Sequence, residues 1–120
     1  MNIEKQQYLE QALEWVSRKT TGEIKSVHED YEDPKIFKSK SSDMTVQPDI
    51  SFRLNDGRKH FTDISLKTEK PQNLVTRWKL LSTMATLSRG KLYLLAPRGH
   101  KIFTTRLVER YNINVTVQAL

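Results

Sequence analysis

The sequence predicts an α/β sandwich, a central mixed sheet of about four to five strands flanked by helices in the order αβββαβαβ. Three observations carry this expectation. Apolar residues recur at helical spacing near the start and in two later stretches; two alternating runs, 48–55 and 60–67, are joined by Asp56-Gly57; and LYLLA, within 91–97, is nearly continuously apolar. The 120 residues contain no internal repeat and suit one domain, 1–120, with a single modest core.

From Asn2 to about Lys19, Leu9, Ala12, Leu13 and Val16 recur at three- and four-residue steps, with Tyr8 and Trp15 widening the stripe. Thr20-Thr21-Gly22 should end this helix, glycine being common just past a helix terminus. Residues 23–29 alternate weakly around Ile24 and Val27 and read as a short strand. The polar stretch 30–46, punctuated by Pro34, reads as a long connection, with Ile36-Phe37 as its anchor to the core.

The hairpin follows. Side chains alternate between the faces of a strand, so Ile50, Phe52 and Leu54 share one face of the first run, and Ile64 and Leu66 share one face of the second. The opposite face carries Asp49, Ser51 and Arg53 on one strand and Asp63, Ser65 and Lys67 on the other. Asp56-Gly57 favours the positive φ angles of a tight turn between them.

Pro71 suits the first turn of a helix whose body runs to about Ser88 and is apolar around most of its circumference, so it is expected to be largely buried. Arg89-Gly90 closes it. The run at 91–97 reads as a central strand covered on both faces. A further helix, from about Gly99 to Tyr111, places Phe103, Leu107 and Tyr111 on one side, and 113–119 alternates as a half-exposed strand.

Composition narrows the function classes. Hydrophobic residues at 37% and charged residues at 28% argue against disorder, and no apolar run approaches the roughly 18 residues of a membrane helix. The opening MNIEKQQ lacks the apolar core of a signal peptide, and the chain has no cysteine for a disulfide, a thiolate zinc site or a thiol nucleophile; a cytoplasmic location is expected. His28, His60 and His100 form no zinc pattern and are expected to be structural or exposed. The net charge of +6 is unevenly distributed: residues 1–66 hold 10 Lys/Arg against 12 Asp/Glu, whereas 67–120 hold 10 against only Glu69 and Glu109. Such a basic second half suits a polyanionic partner, with Lys70, Lys79, Arg98 and Lys101 as candidate nucleic-acid contacts.

Pro48-Asp49 at the start of one strand and Ser65-Leu66-Lys67 on the next resemble the signature of the PD-(D/E)xK nuclease superfamily, Pro-Asp followed by acid-x-Lys, with serine where the acid usually stands. The surrounding text is similar to small resolvase-like and transposase-endonuclease-like members. The resemblance implies a restriction-endonuclease-like fold, a Mg²⁺ or Mn²⁺ ion held by Asp49 and a second acid, and Lys67 orienting or activating the attacking water. It also implies a glutamate from the first helix, for which Glu10 is the candidate, and basic or amide side chains on the helix after the hairpin, Gln72 and Arg77.

Serine at position 65 leaves the second acid to be found. Asp63 is the most attractive substitute, two residues earlier on the same strand face and displaced by roughly 6.5 to 7 Å along it, and Glu69 has the same parity beyond Lys67 if the strand continues. Residues 70–108 contain no acid, so the following helix cannot supply one. The expected function is a metal-dependent DNA endonuclease or resolvase-like phosphodiester hydrolase, with Asp49, Asp63 and Glu10 as metal ligands and Lys67 and Ser65 completing the site. The alternative is a catalytically inactive nuclease-fold module that binds nucleic acid or a partner protein. DNA is the expected partner, and a partner protein or a homodimer is compatible with either reading.

Overall fold

The structure, a computed structural model, describes residues 3–40 and 43–120; the expected helix start at Asn2 and Ser41-Ser42 of the long connection lie outside the described residues. In chain order the elements are α1 (Ile3–Ser17), β1 (Ile24–Ser26), β2 (Phe37–Lys38), β3 (Thr45–Val46), β4 (Ile50–Arg53), β5 (Lys59–Ile64), α2 (Pro71–Leu87), β6 (Leu92–Ala96), α3 (Lys101–Arg110) and β7 (Thr116–Ala119). Five strands form one mixed sheet in the order β1-β4-β5-β6-β7. Its β1-β4-β5 half is antiparallel, and β5-β6-β7 is parallel because α2 and α3 carry the chain back between strands. The long connection contributes a separate two-stranded ribbon, β2 with β3, that sequence alone did not reveal.

Both faces of the sheet are covered. On one, Ile50, Phe52, Ile64, Leu66 and Leu95 pack against Leu9, Ala12, Leu13, Trp15 and Val16 of α1. On the other, Phe61, Leu92 and Leu94 meet Val75, Trp78, Leu81 and Ala85 of α2 and Leu107 of α3. Phe37 and Val46 of the ribbon join this second core, while Ile36, the other half of the expected anchor, remains exposed. Among the described residues no helix is long and apolar enough to cross a membrane.

The hairpin turn follows its chemistry. Gly57 has φ 86°, Leu54 N–H donates to the Arg58 carbonyl at 3.0 Å, and Asp56 Oδ1 accepts from Arg58 N–H at 3.0 Å. At the end of α2 the positive φ falls on Arg89 rather than on Gly90. Gly90 is needed for a different reason: a Cβ there would stand 1.8 Å from the Lys59 carbonyl oxygen, so only glycine lets the chain pass the start of β5.

A charge quartet beside a cleft

The register that pairs Ser51 with Phe61 and Ile50 with Thr62 runs on to bring Asp49 opposite Asp63. Asp49 N–H still donates to the Thr62 carbonyl at 3.1 Å, and Asp49 Oδ2 accepts from Ile64 N–H at 2.7 Å, so its carboxylate is tied to the neighbouring strand. Asp63 is wholly buried and Asp49 is 4% exposed. Two buried carboxylates side by side repel each other unless cations accompany them.

Two cations do. Lys5, near the start of α1, places Nζ 3.0 Å from Asp49 Oδ2 and 3.5 Å from Asp63 Oδ1. Arg77, on α2, grips Asp63 with both arms, Nε to Oδ2 at 2.8 Å and Nη2 to Oδ1 at 2.7 Å, and its Nη2 also donates to the Gln47 carbonyl. Such a two-point grip is the strongest form of arginine–carboxylate contact. Trp78 Nε1 adds a further hydrogen bond to Asp63 Oδ2 at 3.1 Å. The quartet Lys5, Asp49, Asp63 and Arg77 therefore sums to zero charge.

Its two acids differ. Burial, and then the repulsion of Asp63, push the Asp49 carboxyl up to about 6, against the pull of Lys5 and Arg77. Burial works the same way on Asp63, but Lys5 and Arg77 overcome it and hold that carboxyl well below the usual range. Burial would lower Lys5 and Arg77, yet the two aspartates raise both above their ordinary values. Asp49, Lys5 and Arg77 line a cleft of about 490 Å³ whose other walls include Val27, Ile36 and Gln47. Asp63 lies behind them.

The remaining residues singled out in sequence are placed elsewhere. Ser65 is fully buried, with its hydroxyl 2.5 Å from that of Thr104 on α3. Lys67 lies beyond the end of β5, where its N–H donates to His100 Nδ1 at 2.9 Å and its side chain lines a different groove, beside α3. Glu10 is exposed, with Oε1 3.8 Å from His28 Nε2. Gln72 donates to the Tyr111 hydroxyl at 2.8 Å, and Lys79 Nζ stands 5.8 Å from the Tyr111 ring centroid. Lys70, Arg98 and Lys101 are exposed. The structure thus joins Asp49, Asp63 and Arg77, but does not bring Glu10 or Lys67 to them.

Lys5 and Trp78 escaped the sequence reading. Lys5 stands one helical turn before Leu9, in line with the buried stripe, and a lysine in that position was the readable signal. Trp78 belongs to the buried stripe of α2, and the signal there is that a buried tryptophan needs a partner for its indole N–H.

A divalent cation of the magnesium type takes carboxylate and water oxygens in a near-octahedral shell. Here three of the four carboxylate oxygens, both of Asp63 and Oδ2 of Asp49, already accept from Lys5, Arg77, Trp78 or the Ile64 N–H, Asp49 Oδ1 stands 3.9 Å from Arg77 Nη2, and among the described residues no group of three or more Asp, Glu or His side chains is placed to hold a metal. The donor set does not fit such an ion, because the Lys5 ammonium supplies the positive charge at the place where one would sit. Searches of protein families, of characterised proteins and of solved structures returned no match to this chain.

Proposed function

We propose that the protein is a catalytically silent module on a restriction-endonuclease-like frame, and that it binds nucleic acid through the basic surface of its second half. The frame is supported by the element order and by the mixed sheet with helices on both faces. The single observation that carries the silent reading is the quartet: both acids that a nuclease would offer to a metal are neutralised by protein cations, and Lys67 lines another surface. Nucleic acid is favoured because Lys67, Lys70, Lys79, Arg98, Lys101, Arg106 and Arg110 are all exposed, against only Glu69 and Glu109 in the same half. Cations of that kind bind phosphates in a strongly salt-dependent way.

The test pairs two measurements on the wild-type chain. Titration with Mn²⁺, read by electron paramagnetic resonance, should reveal no specific site, while fluorescence anisotropy with labelled DNA should show binding that weakens steeply with salt. A Mn²⁺ site that disappears in Asp49→Ala would overturn the silent reading, and absence of any salt-sensitive DNA binding would overturn the nucleic-acid reading.

A metal-dependent endonuclease is the second reading, favoured by Asp49 lying in the wall of the cleft. It requires Lys5 to leave Asp49. Its own test is Lys5→Ala with Mg²⁺ or Mn²⁺ on supercoiled, linear, branched and single-stranded DNA; under the silent reading no substrate is cut.

A further inference from the structure

We infer that the groove beside α3 binds single-stranded nucleic acid, with an unstacked base on its apolar floor and the flanking phosphates on its cationic rim. This rests on the reading of the protein as a nucleic-acid-binding module and names the site and the strand form. The groove measures about 490 Å³. Its floor is built from Ile102, Phe103 and Leu107 of α3, and its rim from Lys67, Arg106 and Arg110.

Two features of this groove differ from an ordinary patch of surface. Ile102 is 70% exposed, so a large aliphatic side chain faces water in the middle of a basic region. Scattered exposed apolar residues are common, but here the exposed isoleucine shares a concave floor with a half-buried phenylalanine and a buried leucine. The rim has no internal counterions: among the described residues no carboxylate lies within ion-pair distance of Lys67, Arg106 or Arg110, and neither Glu69 nor Glu109 lines the groove. Arg110 is held at one end by the Tyr111 ring, with its guanidinium carbon 5.7 Å from the ring centroid.

The combination selects a strand form. A duplex turns its phosphates outward and keeps its bases stacked, so it can use the rim but gains nothing from an apolar floor. A single strand can lay a base on such a floor while its phosphates track the cations; sequence-tolerant single-strand sites combine such a cation track with aromatic stacking, for which Phe103 is the aromatic in this lining. The cation rim also complements an acidic amphipathic peptide. A phosphate chain is favoured over such a peptide because Lys70, Arg98 and Lys101, each next in sequence to a lining residue (Pro71, Gly99 and Ile102), are also exposed and add cations beyond those of the lining itself.

The test is anisotropy with labelled oligothymidylate, a duplex of equal length and an amphipathic Leu/Glu peptide, each against the wild type, Ile102→Ser and Arg106→Gln, with thermal unfolding to confirm that the variants fold. The expected result is oligothymidylate binding about tenfold tighter than duplex, with most of that preference lost in Ile102→Ser. Arg106→Gln should lower the slope of log K against log salt by about 0.7 on the single strand. Equal binding of single strand and duplex, with Ile102→Ser unchanged, overturns this site while leaving the module reading intact. No binding of either nucleic acid overturns both, and peptide binding sensitive to Ile102→Ser without oligothymidylate binding assigns the groove to a protein partner instead.

Discussion

Lys5, Asp49, Asp63 and Arg77 answer one another's charge, whereas Lys67, Arg106 and Arg110 find no carboxylate within ion-pair reach among the described residues. Both sets adjoin clefts of the same volume, about 490 Å³. What separates them is burial. Charges withdrawn from water must be matched inside the chain, so the first set is committed to the fold, and charges left in water stay available to something outside it.

The sharpest way to break this contrast is Asp63→Ala. It would leave the Arg77 guanidinium, Lys5 and the Trp78 N–H without their shared partner, and a loss of about 3–5 kcal/mol is expected in urea or thermal unfolding. A loss near zero would mean that the quartet is incidental to folding. Ser65→Asp comes next. Placing an acid at this fully buried position against the Thr104 hydroxyl should cost about 2–4 kcal/mol and create no Mn²⁺ site. Resonance titration together with unfolding separates the two effects.

The pH dependence sharpens the comparison further. Asp49 binds its proton near pH 6 when folded, against about 4 in the unfolded chain, so its contribution to stability is present in full below about pH 4 and is lost as pH rises through 6. Asp63 works in the opposite sense: its lowered value contributes stability above about pH 4 that is lost as pH falls further. Asp49→Asn removes the first dependence and keeps the Lys5 and Arg77 interactions that dominate the second. Between pH 4 and 7 the variant should gain on the wild type by something on the order of 2 kcal/mol, measured by denaturant unfolding at each pH. Trp78→Phe, which deletes one hydrogen bond to a carboxylate still held by Arg77, should cost about 1–2 kcal/mol. Arg106→Gln, in the exposed groove, should stay within about 0.5 kcal/mol of wild type.

Much of the fold was legible because periodicity registers which side of an element meets the core. The three long helices, the hairpin and the apolar strand β6 lie close to where the alternation and the helical stripes put them. The meeting of Asp49 and Asp63 was also latent in the turn: with Asp56-Gly57 at the tip, Arg53 pairs with Lys59 and the register carries Asp49 to Asp63. Strand parity misled only at Lys67, since β5 ends at Ile64 and alternation no longer governs a side chain beyond it. Lys5 and Arg77 were harder. Their contact with the hairpin depends on how α1 and α2 cross the sheet, a tertiary relation that local pattern does not encode. Similarly, the ribbon of β2 and β3 rests on two strands too short to alternate visibly.

The chain has two tryptophans, and the sheet lies between them: Trp15 sits in the α1 layer edge-on to Tyr93, while Trp78 is wholly enclosed in the α2 layer with its indole on Asp63. Each indole is consequently a built-in optical probe of a different layer. Replacing one at a time makes it possible to watch the two halves of the sandwich come apart without any attached dye, and to see whether they do so together.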